Sequence, residues 1–89
     1  MPSFVLVRHK VRDFAEWKRG YDAQFHKLWA AGLSEKHLLR NASDPNEVVL
    51  LLAATDLNRA KAFAESAALK DARQVAGIID EPDIYFLHE

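Results

Sequence analysis

The chain has 89 residues and a mass of 10.1 kDa, which is room for one hydrophobic core and not two. Twelve Lys and Arg against thirteen Asp and Glu leave a formal net charge of -1, so nothing in the charge balance favours nucleic acid or an anionic membrane as a partner. Cysteine is absent, which excludes disulfides, thiolate nucleophiles and Cys-ligated zinc or iron–sulfur sites.

The N-terminus enters an alternating pattern directly after Met-Pro-Ser, without a basic region or an apolar signal core. A cytoplasmic location is the expectation. Residues 4–11, rich in Val and Leu, predict a first strand. Asp13, with Glu16 three residues on, has the form of a capping box opening a helix that runs to about Ala31. Phe14, Trp17, Tyr21, Phe25 and Leu28 recur at spacings of three and four and form one apolar stripe along it. Gly32 stops this helix as its C′ residue. Residues 36–41 predict a weaker strand. Ser43-Asp44-Pro45-Asn46 has turn chemistry, and residues 47–55 are the strongest strand in the chain.

Asp56 caps a second helix with Leu57, Ala60, Phe63 and Ala64 inward. Ser66 restarts a short helix carrying Leu69, Ala72 and Val75, and Gly77 ends it. Residues 84–88 predict a last strand. The order βαββαβ specifies an α+β, ferredoxin-like single domain spanning residues 1–89, a four-stranded antiparallel sheet with helices on one face. The crossover rule puts strands one and three side by side in the centre, where a parallel pairing is the expectation.

Side chains alternate faces along a strand. In strand three both sets are apolar: Val49, Leu51 and Ala53 against Val48, Leu50, Leu52 and Ala54. Strands one and four repeat this, with Phe4 and Leu6 opposing Val5 and Val7, and Ile84 and Phe86 opposing Tyr85 and Leu87. One helical layer covers one set. Burying the other would contribute about 1.5–3 kcal/mol per large side chain, so a homodimer packed sheet against sheet is expected. A monomer using the open face as a binding surface is the alternative.

His9 shares its face with Val5, Val7 and Val11, where an imidazole can serve as a general base or as a buried, satisfied core residue. His26 stands four residues after Asp22, within reach of a carboxylate–imidazole pair or an ordinary surface pair. His37 and His88 are weaker candidates. Trp17, Tyr21, Phe25 and Trp29 line or flank one helical stripe. They read either as core or as the wall of a pocket for an aromatic ligand, to which Tyr21 and Tyr85 would bring hydroxyls. Arg8, Lys10 and Arg12 share the opposite parity and should face Asp80, Glu81 and Asp83 across the sheet, as ion pairs or as an anion site. Four His without carboxylates at ligand spacing give no case for a metal. No cofactor is expected.

The run Val7-Arg8-His9-Lys10-Val11-Arg12-Asp13-Phe14, with Trp17-Lys18, Tyr21-Asp22 and Ala30-Ala31-Gly32 behind it, resembles small dimeric α+β-barrel proteins. Leu39-Arg40-Asn41 followed by Asp44-Pro45-Asn46-Glu47-Val48-Val49 extends the likeness over nearly the whole chain. The group is related to the antibiotic biosynthesis monooxygenase superfamily, some of whose uncharacterised members carry a "cyclase" label. The resemblance implies a barrel of two facing sheets and a pocket between each sheet and its helices. Such chains often carry His in the middle of the first helix near Asp22, where this one reads Ala23-Gln24-Phe25-His26, and their third strand often ends in a bulky or acidic residue, where this one ends Ala53-Ala54. The group spans cofactor-free monooxygenases, lactone isomerases and haem-binding enzymes, so the resemblance implies no single reaction. The leading expectation is a homodimer that binds a small, mostly apolar organic molecule and acts as a cofactor-independent monooxygenase or isomerase, with His9, Tyr21 and His26 as proton-transfer candidates. Trp17, Phe25, Trp29 and Tyr85 would then be ligand-binding. The alternatives are a non-catalytic ligand-binding or structural dimer and a haem-binding protein.

Overall fold

The computed structural model describes residues 2–65, 78, 80 and 82–89. Its elements are β1 (Ser3–Lys10), α1 (Phe14–Ala23), α2 (Phe25–Ala30), β2 (Leu33–Asn41), β3 (Asp44–Ala54), α3 (Leu57–Ala64) and β4 (Asp83–His88). The expected helix carrying Leu69, Ala72 and Val75, its stop at Gly77, and Glu81 lie outside the described residues.

The four strands form one sheet in the order β2-β3-β1-β4, and every neighbouring pair is antiparallel. Strands β1 and β3 are adjacent, as expected, but not parallel. A crossover through α1 and α2 returns the chain so that β2 runs with β1. The hairpin from β2 then inserts β3 between them, which makes β3 antiparallel to both. All helices described lie on one face. Val5, Leu50 and Leu52 of the sheet pack there with Leu28, Ala60 and Phe63, while Val11, Trp17 and Val48 form a second buried cluster.

Three local features differ from their sequence signals. Asp13 occupies the N-cap position with an extended backbone but makes no side-chain cap. The orphan Phe14 N–H donates instead to Asn46 Oδ1 at 3.0 Å, and Glu16 pairs with Arg12. The tertiary partner displaces the local capping box because β3 delivers an amide oxygen to the helix start. The hairpin turn is Ala42-Ser43, with Asn41 opposite Asp44, and not the Pro45 segment. Asn41 Oδ1 accepts from Ser43 N–H at 2.8 Å, an Asx turn that fixes the reversal two residues early. The first helix also breaks at Gln24, whose N–H is shared between the Gly20 and Tyr21 carbonyls.

Other signals hold. Asp56 accepts from the Asn58 N–H at 2.9 Å and caps α3. Gly32 ends α2 at φ 80°, a left-handed conformation in which a Cβ would also collide with Thr55 Oγ1. Arg8 does face the acidic lead-in to β4. Its guanidinium donates to Asp83 at 2.8 Å, Glu47 at 2.9 Å and Asp80 at 3.0 Å, and the Lys10 N–H adds a bond to Asp80 at 2.8 Å.

Candidate functional site

Parity along β1 determines where the site lies. Val5, Val7 and His9 point toward the helices, and Val48, Leu50 and Leu52 of β3 point the same way from paired positions. The helices stand off this surface far enough to leave a cavity of about 330 Å³, within the size range of small-molecule sites. Its floor is Val5, Val7, Leu50, Leu52 and Ile84, and its roof is Trp17, Tyr21, Leu28 and Phe63. His9 belongs to this floor with both ring nitrogens buried, and Glu16, Tyr21, Gln24 and Lys27 bring polar side chains to the lining from α1, α2 and the residue between them.

His9 is 4% exposed, the one buried polar residue among the described residues. Its ring lies 5.4 Å from Trp17, centroid to centroid, tilted by 57°. Trp17 stacks on Tyr21 at 5.0 Å and 14°, and Tyr21 meets the edge of Phe25 at 5.9 Å. The stripe read from the helix period is thus a continuous aromatic ladder from the buried imidazole outward. The Tyr21 hydroxyl donates to Glu35 Oε1 on β2 at 3.0 Å. Burial first, and then the neighbouring Glu35 carboxylate, hold the Tyr21 phenol well above its ordinary pKa. At neutral pH it therefore keeps its proton and cannot act as a base.

The structure gathers His9, Trp17 and Tyr21 at the cavity. It does not bring the other candidates there. Phe25 buttresses Tyr21 from outside the lining. His26 is exposed and absent from the cavity wall, and Lys18 holds the Asp22 carboxylate at 2.5 Å in its place. The break at Gln24 turns Trp29 outward, 70% exposed, beside Gly32 and Thr55. Tyr85 lies on the opposite side of the sheet, 53% exposed, because its neighbours Ile84 and Phe86 take the helix-facing positions. His37 and His88 are exposed. Among the described residues, no three His, Asp or Glu side chains gather as a metal-ligand set, and no helix is long and apolar enough to cross a membrane.

Glu35 is the participant that the sequence did not announce. It reaches Tyr21 from a strand whose pairing shifts between Glu35 and His37, and an irregular register of this kind is not read from alternation.

The same architecture recurs in solved structures. A protein provisionally described as an antibiotic biosynthesis monooxygenase from Bordetella bronchiseptica superposes with a TM-score of 0.80 at 14% identity, over 100% of this chain and 98% of that one. The chain has the fold of the antibiotic biosynthesis monooxygenase-like proteins. A second such protein, from Nitrosomonas europaea, gives 0.73 at 17% identity over 99% and 89% of the two chains. SnoaB, a cofactor-independent oxygenase from Streptomyces nogalater, gives 0.68 at 17% identity over 99% and 94%. No family model and no curated protein matches the sequence.

Proposed function

We propose that this protein binds a small, mostly apolar aromatic molecule in the cavity between sheet and helices and oxidises it with dioxygen, without a cofactor. The observation that carries this reading is the cavity itself, an apolar chamber with a buried imidazole in its floor and a stacked Trp-Tyr wall beside it. The fold shared with SnoaB supports the class of chemistry.

His9 is the proton acceptor. An imidazole is suited to removing a proton near neutral pH. A substrate CH₂ activated by a neighbouring phenol would be deprotonated there, and the resulting carbanion, rich in electrons, reduces dioxygen. The CH₂ loses two hydrogens and gains one oxygen atom to become a carbonyl, and the second oxygen atom leaves as water with those hydrogens. Trp17 stacks on the ring system, and Tyr21 orients it through its hydroxyl oxygen. Isomerisation would use the same first step, with His9 returning the proton to a different carbon. A binding protein without turnover would use the cavity alone.

The open face of the sheet is assigned to a second copy of this chain. Leu39 (54% exposed), Tyr85 and Leu87 (41%) stand there beside Phe4, Leu6, Val49 and Leu51, which take the same side of the paired strands. This is a contiguous apolar surface of the kind that seldom remains in water. Sedimentation equilibrium should return twice the chain mass of 10.1 kDa.

Dioxygen uptake with an anthrone-type substrate tests the chemistry. The wild-type protein should consume one dioxygen per carbonyl formed, and His9→Gln should lower turnover at least a hundredfold while still binding the substrate. Unchanged turnover in His9→Gln would remove His9 from the mechanism. Binding with no uptake by the wild type would favour the non-catalytic reading.

A further inference from the structure

The Tyr21–Glu35 hydrogen bond fixes which kind of ligand the cavity can prefer. A phenol has one proton to donate and lone pairs with which to accept. Here the proton is committed to Glu35 Oε1 at 3.0 Å, and Tyr21 is part of the cavity wall. What remains for a ligand is the acceptor side of the oxygen. The stack on Trp17 at 5.0 Å and the edge contact with Phe25 at 5.9 Å hold the ring against rotation away from that bond. The raised pKa of Tyr21, due to burial and then to Glu35, keeps the proton on the phenol and the bond in place at neutral pH.

We infer that Glu35 is a positioning residue that turns Tyr21 into a hydrogen-bond acceptor, so that the cavity selects aromatic ligands bearing a hydroxyl donor over otherwise equal ligands that can only accept. This rests on the cavity being the ligand site and adds the substrate class to it. A ligand hydroxyl set against that oxygen gains a hydrogen bond that an ether cannot make.

The test compares 2-naphthol with 2-methoxynaphthalene, which share a ring system and an oxygen but differ in the donor. Binding is read by calorimetry on the full chain. The wild type should bind the naphthol about five- to tenfold more tightly. Tyr21→Phe should bring the ratio to about one, with 2-methoxynaphthalene binding unchanged within about twofold. Glu35→Ala releases the Tyr21 proton. It should also lower the ratio, and here by tightening the ether, an outcome that mere loosening of the fold would not give. Equal affinities in the wild type would overturn the inference and leave the cavity reading intact. So would a ratio that survives Glu35→Ala. Failure of both naphthalenes to bind would overturn the inference and the cavity reading together.

Discussion

The two faces of this sheet are built from nearly the same residue types and meet different neighbours. On one side Val5, Leu50, Leu52 and Ile84 lie under helices that do not quite close on them, and a cavity remains around His9. On the other, Leu6, Val49, Leu51 and Tyr85 form an apolar surface with no helix of their own among the described residues. Charge also distinguishes them. The helix side admits one buried imidazole, while the open side ends in Arg8 held by three carboxylates. Apolar content alone therefore does not assign a job to a face. What assigns it is the layer that covers the face and how completely that layer fills the space.

Substitutions on paired strands should break this comparison in different ways. The largest effect is expected from Leu51→Asp on the open face. Against a second copy it buries an unpaired charge, which costs about 3–5 kcal/mol, so the mass by light scattering should fall to that of one chain. On the helix side, Leu52→Ala should cost about 2–4 kcal/mol in urea unfolding. It would enlarge the cavity and leave the mass unchanged. If both variants unfold with the same loss and neither changes mass, the open face has no copy on it. Gly32→Ala places a side chain at φ 80° against Thr55 Oγ1 and should cost about 1–3 kcal/mol, a loss confined to thermal stability.

The smallest effect is electrostatic. Hydrogen bonds from Asn41 and then Arg8 hold the Glu47 carboxyl below its ordinary range. Asp80 is partly desolvated, which acts in the opposite sense, yet bonds from the Lys10 N–H and Arg8 bring it below its ordinary range as well. A carboxyl lowered in the folded state contributes stability at neutral pH that is lost as the pH falls through about 4 and below. Melting temperature should therefore drop on acidification in the wild type and drop less steeply in Arg8→Gln. Equal slopes would show that Arg8 does not set this pH dependence.

The sequence made much of this arrangement legible, and the reasons differ by residue. Alternation gave the faces of β1, β3 and β4, and the helix period gave the ladder from Trp17 to Phe25, because both are backbone geometries that every side chain obeys. The partners of Arg8 were legible from strand parity in the same way. Tyr85 was not, since both faces of β4 are apolar and parity alone does not say which one the helices cover. Trp29 and His26 depended on the helix remaining regular past Gln24. The true cap of α1, Asn46, and the partner of Tyr21, Glu35, are both contacts brought by the β2–β3 hairpin, whose turn and register were set by Asx bonding and a strand irregularity. Local patterns do not carry such contacts.

The most direct test of the division between faces is methyl NMR of Leu- and Val-labelled protein titrated with 2-naphthol. The account predicts that the methyls of Val5, Val7, Leu50 and Leu52 shift together and saturate, while those of Leu6, Leu39, Leu51 and Leu87 stay where they were. Shifts concentrated on the second group would place the ligand on the open face and contradict the account.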